Sequence, residues 1–285
     1  MINSKSINIG ITGSTGVLGK HLIYELKNFN LKIFKSDISI KKNVYNWVNE
    51  NDLDAIIHFA AIVPTRDVLS NKKRAYKVNY LGTKYLIDAL KKKYKKKRIW
   101  FFFASSSHVY SFLEEKITEK RKIKPISYYG KLKHMSEIYL QKNHKYFKIC
   151  IGRIFSFTDP VQGSSFFVPS IFNRIKKNKK YPYDKLNKEV RDFLSTRDII
   201  AIIRHLLEIR FLGVINICSG KGTNLYKIYV IISNLLKKKV VKKKYFEKKN
   251  MLIGDNSKII KTGYKYRDNL TKIIRNYVIF NNSSK

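Results

Sequence analysis

Two cysteines and 20 acidic residues are what this 285-residue chain is short of. With Cys150 and Cys218 as the only thiols, both in apolar strand-like runs, neither a disulfide framework nor a cysteine metal site can be written. Buried free thiols in a reducing compartment are the economical reading. No apolar run approaches the ~18 residues of a membrane span. No signal-peptide pattern precedes the first strand either, so a soluble cytoplasmic protein is expected. The acidic shortage, set against 59 Lys and Arg, leaves a formal charge of +39. Such a charge ordinarily points to nucleic acid or an anionic surface. Here 12 of the 59 are arginines, leaving 59 − 12 = 47 lysines, and alanine and proline are scarce at 7 and 5. With abundant Asn, Ile, Tyr and Phe, that set tracks AT-rich codons. The runs Lys91–Lys93, Lys95–Lys97, Lys237–Lys239 and Lys242–Lys244 are therefore read as solvated faces. No specific nucleic-acid partner is expected, although a positive field helps recruit a diphosphate.

Glycines, by contrast, stand where chemistry needs them. Ile7–Ile11 reads as a short buried strand, and Val17–Lys27 as an amphipathic helix. Between them lies Thr12-Gly-Ser-Thr-Gly-Val-Leu-Gly19. A strand, a glycine turn and a helix form the arrangement that seats a pyrophosphate on a helix N-terminus. Gly13 permits the tight turn, Gly16 lets backbone approach phosphate, and Gly19 lets helix pack on strand. Thr15, Val17 and Leu18 fall within the same cradle.

Tyr129 and Lys133 lie four residues apart, so they share one helical face. An ammonium beside a phenol favours phenolate and lowers the tyrosine pKa toward a working range. The serine run Ser105–Ser107 precedes them by about twenty residues and offers a neutral donor to a substrate oxygen. Strand-like runs recur at Leu31–Phe34, Ala55–Phe59, Arg98–Ala104, Lys148–Gly152 and Val214–Ile217. Helical patterns lie between them near 42–50, 71–92, 128–143 and 196–208. That alternation predicts an α/β fold of Rossmann type, a doubly wound parallel sheet with its active site at the strand C-termini.

Taken in order, these motifs resemble the extended short-chain dehydrogenase/reductases, the NAD-dependent epimerase/dehydratase family of nucleotide-sugar enzymes. Further blocks carry the likeness: Asp54–Ala61, Asn79–Thr83, Ser105–Tyr110, Lys133–Glu137, Arg191–Asp198, and Asn216–Gly220 with Thr223–Leu225. The resemblance implies a nicotinamide-binding domain over residues 1–157, its sheet completed by about 191–218. A smaller C-terminal substrate-binding lobe would comprise 158–190 and 219–285. It also implies a homodimer and a nucleotide-diphosphate sugar as substrate.

By resemblance, Tyr129 is the acid/base, and Lys133 tunes it and holds the nicotinamide ribose. Ser106, three residues before Val109, takes the position of the family's catalytic Ser or Thr. Phe59, Ala60, Ala61 and Asn79 lie along the cofactor. Asn79 has two readings, ordering a water or backbone near the site and plain helix packing. Arg191 resembles the arginine that grips the diphosphate. Tyr128 and Tyr110 are rival tyrosines, but Tyr128 has Leu132 rather than a lysine one turn on. Two positions depart from the family pattern. Ser107 and His108 stand where sugar dehydratases carry Asp-Glu, so dehydration is not expected; His108 is either a second acid/base or a polar contact. Ser156 replaces an asparagine, which weakens any transfer of sugar contacts.

Cofactor choice stays open between two readings. Asp37, 24 residues after Gly13, suits a ribose 2′-hydroxyl and hence NAD. If Asp37-Ile-Ser39 instead meets the adenine, Lys35 and Ser36 face the ribose and suit the phosphate of NADP. The expected activity is epimerisation or oxidoreduction at a hexose carbon, C4 foremost, with a 4-keto reductase of deoxysugar synthesis as the alternative. A family member without activity, binding cofactor or nucleic acid, is the rival of another class. No metal site is expected.

Overall fold

A computed structural model describes residues 7–63, 65–179, 183–241 and 250–283; the run Lys242–Lys244 lies outside them. Among the described residues the first element is β1 (Asn8–Thr12), which turns at Gly13 into α1 (Val17–Glu25) and continues through β2 (Asn30–Ile33) and α2 (Lys41–Glu50) to β3 (Ala55–His58). Two short helices follow, α3 (Thr65–Ser70) and α4 (Lys72–Tyr76), then a π-helical turn (Lys77–Leu81) and α5 (Gly82–Lys93). Next come β4 (Ile99–Ser106), α6 (Tyr128–Lys142), β5 (Phe147–Ile154), β6 (Ser156–Thr158) and α7 (Phe167–Lys176). The remainder is β7 (Glu189–Ser195), α8 (Thr196–Glu208), β8 (Gly213–Ile217), β9 (Gly222–Asn224), α9 (Leu225–Leu235), β10 (Asn250–Leu252), α10 (Ser257–Lys261) and α11 (Leu270–Ser283).

Two compact units emerge. One contains the residues up to Tyr110, Lys122–Ile154 and Ile200–Ile215; the other contains Ser111–Arg121, Phe155–Ile199 and the chain from Asn216 onward. The first holds the expected doubly wound parallel sheet, in the order β2-β1-β3-β4-β5-β8. β3 and all eight residues of β4 are buried, as a sheet covered on both faces demands. Phe101, Phe103, Ile56 and Ile151 form its core with Val44, Val48, Leu86 and Leu90 from α2 and α5. At ~25 cal/mol per Å², each such side chain contributes on the order of 2 kcal/mol, and together they fix the helices over the sheet.

The single helical pattern read over 71–92 is interrupted. α4 is capped by Asn71, whose side chain accepts from the Arg74 amide, and the π turn then inserts one extra residue before α5. Gly82 lies where a Cβ would press on Ile38, which lets α5 lie close to the loop after β2.

The second unit has its own sheet, β10-β7-β6, with β9 antiparallel to β7. Of residues 191–218, only β8 joins the six-stranded sheet; β7 is the centre of the smaller one. β7 is absent from the strand-like runs read in the sequence, and its partners are set by contacts distant in sequence. Val168, Phe172, Phe193, Ile228, Tyr229, Ile274 and Tyr277 form its core. Buried Asp192 accepts from the Ser219 amide and hydroxyl and from the amides of Gly220 and Gly254, which ties the loop after β8 to β7.

Candidate active site

Two positions of the glycine turn can be filled only by glycine. Gly13 has φ +76°, and a Cβ there would sit 2.5 Å from the Ala60 amide nitrogen. β1's end and β3's end therefore meet backbone to backbone. Gly19 is excluded from bearing a side chain by the Gly13 carbonyl, whereas a Cβ on exposed Gly16 would meet only that carbonyl, at 3.4 Å. Gly16 caps α1 without any side-chain bond, so α1 starts on bare backbone beside Thr15. A bare backbone at a helix N-terminus fits a dinucleotide diphosphate.

Phe59, Ala60, Ala61 and Ile62 continue from β3, and Asn79 clamps this loop. Its side-chain oxygen accepts from the Ile62 amide at 2.7 Å, and its amide nitrogen donates to the Ile62 carbonyl at 2.9 Å. Of the two roles read for Asn79, ordering backbone is the one the geometry displays.

The trio comes together where β4 ends. Ser106 is the last residue of that strand, and Ser127 starts α6 by accepting from the Gly130 amide at 3.0 Å. A Cβ on Gly130 would overlap the His108 carbonyl oxygen, so its absence lets the helix rest on the strand end. Tyr129 is thereby brought beside Ser106, whose side chain favours the phenolate. Its ring packs with Val68, Ala75 and Leu132.

Burial pushes the Tyr129 phenol well above its usual value, and the Ser106 side chain offsets only part of this. The lowering by Lys133 expected from the i, i+4 spacing is not the outcome. The ammonium lies 5.8 Å from the Tyr129 ring centroid, and it donates to the Ala104 carbonyl at 2.6 Å. Burial dominates Lys133 as well and brings it down to about 7, against the opposing charge of Glu137. Two buried groups are thus both displaced toward their neutral forms.

One turn further, Glu137 is held in the opposite sense. Burial raises it, but His134, 3.9 Å away, the hydrogen bonds and charge of Arg153, and the Ser105 hydroxyl outweigh this and keep it below the usual carboxylate range. Arg153 Nη2 lies 2.8 Å from its Oε2 and Nε 3.1 Å from Oε1, while Nη1 donates to the Tyr110 hydroxyl at 2.8 Å. Tyr110 is thereby occupied as a scaffold. Tyr128 packs at the edge of the Tyr129 cluster, with Lys72 5.9 Å from its ring centroid. This Arg153–Glu137 pair escaped sequence reading; a buried-strand arginine and the Lys-x-x-x-Glu spacing were the available signals.

His108 borders the trio: its Nδ1 is 3.0 Å from the Ser127 hydroxyl, and its ring meets Tyr129 edge-on at 5.9 Å. Ser107 is buried beside it. Asp37 lies four residues beyond β2, and both of its oxygens are engaged. Oδ1 accepts from the Ser39 amide and hydroxyl, and Oδ2 from Arg74 at 2.8 Å. Burial raises the carboxyl, but the Arg74 and Ser39 bonds prevail and hold it low. Lys35 and Ser36 are exposed.

Ser106, Ser107, His108, Tyr129 and Lys133 all belong to the first unit; Ser156 and Arg191 belong to the second. Arg191 is knitted into its own sheet. It pairs with Glu189, donates to the Val190 and Asn250 carbonyls at 2.8 and 2.7 Å, and stacks on Phe112. Among the described residues no group of His, Cys, Asp and Glu could hold a metal, and no helix is long and apolar enough to cross a membrane. Most lysines of the described runs are exposed, and Lys91 and Lys93 lie over the rings of Tyr146 and Tyr94.

Comparison with known proteins adds four findings. The model of the GDP-mannose 4,6-dehydratase family matches residues 15–277. GDP-6-deoxy-D-talose 4-dehydrogenase of Aggregatibacter actinomycetemcomitans is 28% identical, the match covering 92% of this chain and 93% of that protein. Among solved structures, UDP-glucose 4-epimerase of Thermus thermophilus in complex with NAD superposes with a TM-score of 0.85 at 19% identity, covering 98% of this chain and 100% of that one. The Pseudomonas aeruginosa protein RMD, complexed with NADPH, gives 0.80 at 21% identity and 98% of both chains.

Proposed function

The chain belongs to the GDP-mannose 4,6-dehydratase family of extended short-chain dehydrogenase/reductases, and from that premise we propose that it oxidises or reduces C4 of a nucleotide-diphosphate hexose. The observation that carries the reading is the buried grouping of Ser106 with Tyr129, with Lys133 one helical turn along. The nicotinamide cofactor, when bound, supplies or takes the hydride. Tyr129 moves the proton: its hydroxyl donates to the C4 oxygen in reduction and recovers the proton in oxidation. Ser106 holds that oxygen by a neutral hydrogen bond. Lys133, one turn along and brought by burial to about 7, is the cation available to the phenolate once its proton has left.

Dehydration lies outside this proposal, despite the family's name, because Ser107 and His108 occupy the two positions where an acid/base pair would expel water. Net oxidoreduction is favoured by the near end-to-end match to a GDP-6-deoxy-hexose 4-dehydrogenase. C4 epimerisation is the second reading, favoured by the epimerase-like block Asn216–Gly220. The two part on the fate of hydride: an oxidoreductase changes soluble NAD(P)H in proportion to product, whereas an epimerase leaves it unchanged.

NAD is the cofactor of this reading. The Arg74–Asp37 pair favours NADP as a second, since it engages the carboxylate that would otherwise receive a ribose hydroxyl. Thermal shifts with UDP-, GDP- and dTDP-hexoses, each with NAD or NADP, followed by absorbance at the nicotinamide band, test the whole proposal. No response to either cofactor at millimolar concentration would overturn it.

A further inference from the structure

His58, at the end of β3, is fully buried and bonded at both ring nitrogens: Nδ1 to the Thr12 hydroxyl at 2.5 Å and Nε2 to the Thr83 hydroxyl at 2.9 Å. The partners decide the tautomer. Thr83 donates to the Asn79 carbonyl at 2.9 Å, so its oxygen accepts from Nε2–H. Thr12 accepts from the Ala60 amide at 3.3 Å, and its own proton then goes to Nδ1. The reverse tautomer would leave the buried Thr12 hydroxyl proton without an acceptor and break the bond to Asn79. Burial, reinforced by the nearby Lys133 charge, holds the imidazole down to about 3, so it stays neutral.

The hydrogen bonds therefore run in one direction: Ala60 amide, Thr12, His58, Thr83, Asn79 carbonyl. That carbonyl also accepts from Ser136 on α6 at 3.1 Å, and the Asn79 side chain grips Ile62 in the loop after β3. One chain of bonds joins the residue before Gly13, the loop of Phe59–Ile62 and the helix bearing Tyr129 and Lys133.

We propose that His58 is a positioning residue, acting through Thr12 and Thr83 to hold the glycine turn and the tyrosine helix in one register for the cofactor. A neutral imidazole suits this task because it donates at one end and accepts at the other. It also adds no second positive charge beside Lys133. The consequence for the cofactor rests on the reading given under Proposed function; the register itself does not.

Thr83→Val keeps shape and deletes the hydroxyl, and Thr83→Ser restores it. Expected are an unchanged far-UV spectrum in both, and in Thr83→Val faster amide deuterium exchange at Ala60–Ile62 and in the first turns of α6. NADH and NADPH titrations should show affinity lowered at least about tenfold in Thr83→Val, as loss of a buried hydrogen bond implies, and regained in Thr83→Ser. Imidazole nitrogen shifts should assign the proton to Nε2 of His58. A Thr83→Val protein that melts earlier yet keeps wild-type exchange in both segments would overturn the proposal, as would a proton on Nδ1. Wild-type protein with no cofactor affinity but with the coupled exchange response would instead overturn the functional reading and leave the register standing.

Discussion

Lys133 and Glu137 occupy the same face of α6 one turn apart, both buried, and the fold treats them oppositely. Glu137 receives a two-point arginine and a serine, and its carboxyl is held below the usual range. Lys133 receives one carbonyl beside a phenol that burial drives toward neutrality, and it drops to about 7. The first site satisfies its charges and so fixes geometry: Ser105 on β4 and Arg153 on β5 locate α6. The second leaves its charges poorly compensated, and such groups respond to what binds near them. Anchor and responsive site thus share one helix, and the anchor lets the responsive site bear its strain.

Several substitutions would break or sharpen this contrast. Glu137→Ala should cost about 3–5 kcal/mol in urea unfolding, because it strands a buried guanidinium. A loss under about 1 kcal/mol would mean that the pair anchors nothing. Tyr129→Phe should leave the melting temperature within a few degrees while steady-state turnover falls at least about a hundredfold. Lys133→Met should act in the opposite sense on stability. Lys133 binds its proton below about 7 when folded and below ~10.4 when unfolded. Its burial therefore costs most below pH 7, and the cost fades as pH rises through that interval. The variant should be more stable than wild type at pH 6 by roughly 1–3 kcal/mol, with the gap narrowing by pH 9 in urea titrations, and it should be inactive. Ser106→Ala, which deletes one neutral hydrogen bond, should lower turnover by about tenfold. Tyr128→Phe should retain most activity; if it were the dead variant and Tyr129→Phe the active one, the helix register argued here would be wrong.

Much of the first unit was legible because its signals are local. The spacing of Gly13, Gly16 and Gly19 and the i, i+4 pair are short-range patterns, and a strand such as Ile99–Ser106 declares its double burial in its own composition. What escaped is what depends on partners remote in sequence. The Arg153–Glu137 pair joins a strand to a helix, and Arg74 reaches Asp37 from 37 residues away. β7 exchanges the main sheet for its own. The direction of the Tyr129 shift also escaped, since spacing reports proximity of charge but not the depth of burial that outweighs it.

Gly130 carries one more consequence. The hydrogen on its α-carbon is the only thing between α6 and the His108 carbonyl, so no residue exists that fills this gap slightly. Alanine, the smallest step available, already forces the helix off the strand and draws Tyr129 away from Ser106. Position 130 therefore acts as a switch with two settings, in contact or displaced. A mutational series there should yield a single abrupt loss followed by a plateau, with no slope along which the active site could be retuned.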